Sequence, residues 1–173
     1  MPVPVAPTVA VLGQPARAGS QFNALAAQVA FLLDPPVVYA YQTAANNCPD
    51  STVTLITMDA ELVDTDNVHS TSTNTSRLTI VTAGRYRVLG QLSYNVSGAV
   101  GYRDARLLKN GANVALTRIP APNAISYTQV YDEILCAVGD YIELAGFQNS
   151  GAAVATGTGV NTTFLKARWC GVS

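Results

Sequence analysis

The chain has 173 residues and a formal net charge of −1 at pH 7; 49% of its residues are hydrophobic and only 12% are charged, about half the ~25% usual in soluble proteins. Its ten Lys and Arg are scattered without a cluster, which excludes nucleic acid as the expected partner, and no apolar run reaches the ~20 residues that span a bilayer, which excludes a membrane-crossing helix. So little charge predicts a surface covered by copies of the chain or by a larger assembly.

Residues 1–19, MPVPVAPTVAVLGQPARAG, hold four of the nine prolines. This composition predicts an extended, polyproline-like anchoring arm that docks onto another protein through Val3, Val5, Val9, Val11 and Leu12. The first positive charge after the α-amine is Arg17, and prolines stand at 2, 4 and 7. A secretory signal is therefore not expected, and synthesis in a cytoplasm is.

Residues 20–36 predict one helix, with Ser20 as its N-cap and Pro35-Pro36 as its stop. Phe22, Leu25, Val29 and Leu32 are spaced by three, four and three and so share one seam, which Ala26 and Leu33 widen. Such a helix either packs on its own domain or forms a short stem with copies of itself, for which two heptads alone would be marginal.

From Val37 onward every periodic segment is β, and residues 37–173 are expected to form one all-β head: an antiparallel two-sheet sandwich or jelly roll. The strongest pattern runs from Ser76 to Val96. Leu78 and Ile80 share a face, Ala83-Gly84 makes a turn, and Tyr86, Val88, Leu92 and Tyr94 share the buried face of a longer strand, with Thr79, Arg85, Arg87 and Gln91 opposite. Lys109-Asn110-Gly111 predicts a type I′ hairpin, and Val138-Gly139-Asp140 another turn. Two irregular loops, 42–52 and 149–161, stand where a binding function would sit; Asn149, Ser150, Thr156, Thr158 and Asn161 are the candidate receptor-facing positions of the second.

Little in the sequence points to catalysis, a cofactor or a metal, and a non-enzymatic chain is expected. The single histidine, His69, has no Gly-x-Ser-x-Gly turn to serve, and is read as a loop or edge residue bonded to backbone. Cys48, Cys136 and Cys170 lack the close spacing of structural zinc ligands; Cys136 is expected on a buried face with Ile134, Ile142 and Leu144. Asp59, Glu61, Asp64 and Asp66 lack EF-hand spacing and are read as a solvated loop. Tyr127, Tyr131, Tyr141 and Phe147 are read as sandwich filling rather than a carbohydrate shelf.

Gly84-Arg85-Tyr86-Arg87-Val88, then Gly139-Asp140-Tyr141-Ile142-Glu143-Leu144, then the closing Thr162 to Trp169 resemble, in that order, the jelly roll of the complement first-component q-subunit and tumour necrosis factor superfamily. The resemblance covers roughly residues 37–173 and implies a ten-stranded, two-sheet head that assembles as a homotrimer. Lys166 and Arg168 depart from the more apolar ending of that family's last strand. Upstream, the proline-containing arm, Gly19 to Leu25, Phe31 to Pro36 and the stretch 64–79 are similar to minor tail proteins of tailed phages that infect actinobacteria. That second likeness implies a virion component, as minor tail, head fibre or capsid decoration protein, held by its arm to other virion proteins. Its alternative task is recognition of a host-surface glycan.

Overall fold

A computed structural model of the chain describes residues 18–95, 98 and 100–172, with side chains from residue 21 onward. The expected anchor residues Val3, Val5, Val9, Val11 and Leu12 lie outside these described residues. The helix α1 (Ala18–Leu33) belongs to one unit of the chain, up to Pro35, and every strand belongs to a second, Pro36–Ser173. Ser20, expected as the N-cap, instead lies inside α1.

The second unit holds two five-stranded antiparallel sheets. The first runs in the order β4 (Ala60–Asp64), β1 (Val37–Tyr41), β12 (Phe164–Gly171), β6 (Gly84–Tyr94) and β9 (Ser126–Cys136). The second runs β3 (Thr54–Leu55), β10 (Tyr141–Gln148), β7 (Tyr102–Lys109) and β8 (Ala112–Pro120), with β5 (Arg77–Thr79) also paired to β10. A two-residue pair, β2 (Asn47–Cys48) with β11 (Val154–Ala155), joins the two loops that were expected to be irregular. This is the two-sheet jelly roll that the resemblance implied.

Consecutive strands repeatedly change sheet. Leu78, Ile80, Tyr86, Val88, Leu92 and Tyr94 are all buried as expected, yet β5 pairs with β10 while β6 pairs with β12 and β9. The Ser76 to Val96 unit is therefore a corner between facing sheets and not a hairpin. Ile134 and Cys136 face Ile142 and Leu144 in the same way, all buried, from strands that share no ladder. Residues 51–60 serve both sheets, since Leu55 pairs with Ala145 of the second while Ala60 pairs with Tyr41 of the first.

Between the sheets, the buried Tyr94 hydroxyl of β6 is shared by the carbonyls of Asp104 and Phe147, at 2.8 and 3.1 Å. It satisfies a polar group that the sandwich would otherwise strand. The Lys109-Asn110-Gly111 turn closes β7 on β8 with Asn110 at φ 51° and Gly111 at φ 80°, the two positive values a type I′ turn needs. Asp140, after the Gly139 turn, accepts hydrogen bonds from Asn110 Nδ2 at 2.7 Å and Ala137 N at 2.8 Å and pairs with Lys109 Nζ at 2.9 Å. Its contacts with Lys109 and Asn110 draw its pKa down to about 2.

Outside the second sheet, Asp104 is fully buried and shared by two guanidinium groups. Arg118 approaches bidentately at 2.7 and 3.0 Å, and Arg106 at 2.7 Å. The Arg118 group also lies 3.6 Å from the Tyr102 ring centre, Tyr102 stacks on Phe147 at 5.6 Å, and Arg106 covers Phe147 at 5.0 Å. Charge and aromatic surface thus close one layer over this face.

Candidate functional site

Alternation along four strands sets what the first sheet turns outward. On β9, Thr128, Val130, Ile134 and Cys136 point into the sandwich, so Tyr127, Gln129, Tyr131, Glu133 and Leu135 point out. The opposite residues are Tyr127 with Ser93, Gln129 with Gln91, Tyr131 with Leu89, and Glu133 with Arg87. Tyr127 and Tyr131, expected to fill the sandwich, are corrected by this parity: both are exposed, Tyr131 to 79%. Gln91 keeps its expected outward position but is covered, because its amide donates to the carbonyls of Asn161 and Thr162.

Across the strands, Val63, Tyr39, Lys166, Leu89 and Tyr131 form one row, and Val37, Arg168, Arg87 and Glu133 the next. Between β1 and β6 the face sinks into a hollow of about 310 Å³ walled by Val37, Tyr39, Val63, Leu89, Lys166 and Arg168. Lys166 Nζ lies 3.9 Å from the Tyr39 ring centre and 4.4 Å from that of Phe164. Tyr39 is anchored in turn by its hydroxyl, which donates to the carbonyl of Val160.

The charges of the described residues are unevenly matched. Arg77 pairs with Glu143, Arg87 with Glu133, Arg106 and Arg118 with Asp104, and Lys109 with Asp140, while the buried Arg103 donates to the carbonyl of Tyr102 at 3.0 Å. Among the described residues Arg85, Lys166 and Arg168 have no such carboxylate partner, and all three stand on the outward side of the first sheet. Arg168 and Arg87 are directly opposite in register, an arrangement of like charges that destabilises a ladder unless something answers it.

The other candidate residues are dispersed. Phe22, Leu25, Val29 and Leu32 are exposed along α1, by 46% at the least. Within the 149–161 loop, Thr158 and Asn161 are exposed, whereas Asn149 is half-buried and its Oδ1 accepts from Tyr102 N at 2.7 Å. Ser150 is half-buried as well and bonds to Gln148 and Ala152. Thr156 is a correction to the receptor-facing set: it is 1% exposed, its hydroxyl donating to Gln42 at 2.5 Å, because the pairing of β2 with β11 folds it inward.

His69 is buried, with Nδ1 2.7 Å from Glu61 and Nε2 3.1 Å from the Thr75 carbonyl. It ties an edge strand to its loop, as a backbone-bonded edge histidine should. The acidic stretch is a strand edge as well as a loop: β4 carries Glu61 and Asp64, and Asp64 accepts from the amides of Asp66, Val68 and His69. Among the described residues no group of three or more His, Cys, Asp or Glu could hold a metal ion. Burial pushes the Cys48 and Cys136 thiols up to about 11, so both are unreactive packing residues.

No protein-family model and no curated protein matches the chain in sequence. Solved structures do match in fold. The globular domain of zebrafish complement 1qA protein aligns over 80% of this chain and 99% of its own, at 11% identity and a TM-score of 0.56. Murine APRIL at pH 8.0 aligns over 78% of this chain and 98% of its own, at 13% identity and a TM-score of 0.59. Eiger TNF from S. frugiperda aligns over 80% and 94%, at 11% identity and a TM-score of 0.55. The strand unit is an antiparallel two-sheet jelly roll. More narrowly, it has the fold shared by complement 1q and tumour necrosis factor domains.

Proposed function

We propose that the chain is a non-enzymatic structural component of a tailed-phage virion, a homotrimer whose jelly-roll heads meet through the outward face of the first sheet. The helices meet along Phe22, Leu25, Val29 and Leu32, and residues 1–19 hold the trimer to other virion proteins. The protein is made in the host cytoplasm and acts as a minor tail, fibre or capsid decoration protein. It works by contact alone, without a cofactor.

The observation that carries this reading is bare apolar surface on a chain with few charges. The α1 seam is exposed throughout, and Tyr127, Tyr131 and Leu135 stand out from the first sheet. Burying side chains of this size is worth about 1.5 to 3 kcal/mol each when complete, and self-association is the direct way to cover them. The sequence likeness to a family of trimeric jelly rolls supports the number three. The likeness of arm and helix to phage minor tail proteins supports the virion.

Replacing Leu25 and Val29 together with Asp is expected to weaken trimer formation by at least about tenfold, since two seam positions per copy would lose burial worth several kcal/mol. Sedimentation of the full chain reads this directly. An unchanged association would remove the stem from the proposal. Specific binding to host cell-wall polysaccharide, lost on deletion of the Thr158 to Asn161 tip with assembly intact, would move the head from a structural to a receptor-binding role.

A further inference from the structure

The first sheet ends in two unequal edges. β4 is five residues long and meets β1 with a register shift between Tyr39 and Ala40; a short, bulged edge accepts an added strand poorly. β9 is eleven residues long and pairs with β6 in unbroken register. The direction of its free groups follows from β6. Ser93 N donates to Thr163 Oγ1 and Ser93 O accepts from Gly157 N, both on the side of β12, so Ser93 and the residues alternating with it turn their backbone groups away from β9. Opposite them, Tyr127, Gln129, Tyr131, Glu133 and Leu135 of β9 therefore turn their N–H and C=O groups to the free edge.

Two of those edge groups are already occupied. Glu133 N donates to Asp132 Oδ1 at 2.8 Å, and Leu135 O accepts from Lys109 Nζ at 2.8 Å. Asp132 belongs to the core-facing row of β9, opposite the buried Val88. Its row neighbours Val130 and Ile134 are buried, while Asp132 is half-buried and, among the described residues, forms no ion pair. We infer that Asp132, helped by Lys109, guards the β9 edge against pairing with the same edge of another copy. A strand laid along β9 needs the Glu133 N–H and the Leu135 C=O, so it must break both bonds. It would also seal the Asp132 carboxylate from water with no cation to answer it. Every copy in an assembly of this chain offers the same eleven-residue edge, which makes another β9 the strand that the guard meets. Because Asp132 is not on the outward face, the guard leaves association through that face untouched and the inference stands apart from the proposed trimer.

The test compares the full chain with Asp132→Val, with Asp132→Asn and, as a control for net charge, with Asp34→Asn, which alters an exposed residue ahead of the first strand. Circular dichroism reports the fold and thermal unfolding the stability. Sedimentation after incubation at rising concentration reports species larger than the unaltered chain's own assembly. Asp132→Val should unfold no lower than the unaltered chain, since an apolar side chain then continues the row of Val130 and Ile134. It should nevertheless put at least about tenfold more of the chain into larger species. Adding Gln129→Pro should suppress that growth, because residue 129 turns its N–H to the free edge and a proline there removes no ladder bond. If Asp132→Val fails to fold, the isosteric Asp132→Asn carries the comparison and should also grow, to a smaller extent. Three results would overturn the inference: growth no greater than that of the unaltered chain, growth matched by Asp34→Asn, or growth that accompanies a lowered unfolding midpoint and survives Gln129→Pro. None of them touches the proposed trimer, which fails separately if the unaltered chain never associates.

Discussion

Asp104→Ala is expected to lower the unfolding free energy by about 3 to 5 kcal/mol, the cost of removing one partner from a buried ion pair. The carboxylate has no exposed surface and receives three hydrogen bonds from Arg106 and Arg118. Losing it leaves Arg106, whose side chain is 19% exposed and whose Nε already lacks a partner, as an unanswered charge under the Phe147 ring. Arg118 is more exposed and can turn to water, so the lower end of the range is expected. The aromatic stack then loses the guanidinium groups that clamp it on both sides.

The same carboxylate makes a prediction about pH. Burial alone would raise the pKa of Asp104, but hydrogen bonds from Arg118 and Arg106 outweigh it and hold the value below the ordinary one. Asp140 is drawn down to about 2 by Lys109 and Asn110. A depressed carboxylate stabilises the fold above its unfolded pKa of about 4, and that stabilisation is lost as pH falls through the folded value. Urea midpoints of the unaltered chain should therefore drop between about pH 4 and pH 2, and those of Asp104→Ala should drop less over the same window. Equal slopes would show that Asp104 is not held ionised by its arginines.

Gly84→Ala should cost about 2 to 4 kcal/mol, combining overpacking of roughly 1 to 3 with a lost indole hydrogen bond of about 1. A Cβ at this position would lie 2.1 Å from Trp169 Nε1 and 2.6 Å from the Gly171 carbonyl oxygen, at a φ of +149°. The indole would have to leave, breaking its 3.1 Å bond to the Ala83 carbonyl. Gly139 supplies the control: it has a φ of +88°, and a Cβ there would meet no atom within 4 Å, so Gly139→Ala costs only backbone strain, about 1 kcal/mol. Thermal unfolding that ranks Gly139→Ala as the more damaging change would contradict this packing of β6 against β12.

The contact with Trp169 explains why Gly84 precedes Tyr86 in the motif that carried the fold resemblance. The glycine admits the last strand's tryptophan, and the Tyr86 hydroxyl then donates to the Thr82 carbonyl at 2.6 Å. Much of the jelly roll was legible because alternation reports which side of a strand is buried. It does not report which strand supplies the hydrogen bonds, and in a jelly roll both sheets turn a face to one core. The corners at Ala83-Gly84 and Gly139-Asp140 therefore looked like hairpins. Two-residue strands such as β2 and β11 are too short to show any period, and Ala60–Asp64 looked like a solvated loop because its carboxylates bond locally to amides and to His69.

The candidate site was half legible. The scarcity of charge pointed to association, and the three-four-three spacing marked Phe22, Leu25, Val29 and Leu32, which are exposed on α1. The outward position of Tyr127 and Tyr131 was missed for a reason present in the sequence. Tyr127 and Tyr131 share parity with Gln129 and Glu133, and that polar company marks the outward side of β9, whereas aromatic identity alone suggested the core. The hollow on the first sheet was not legible, since Tyr39, Leu89 and Lys166 come from three strands whose register only the folded sheet brings together. Lys166 and Arg168 read as an anomaly of the last strand, and the folded sheet places Lys166 over the Tyr39 and Phe164 rings and Arg168 opposite Arg87.

The native mass of the unaltered full-length chain, by light scattering across a range of concentrations, tests the central claim most directly. Assembly through the first sheet and the α1 seam predicts three times the 18.1 kDa chain mass. A mass of one chain at every concentration would contradict it.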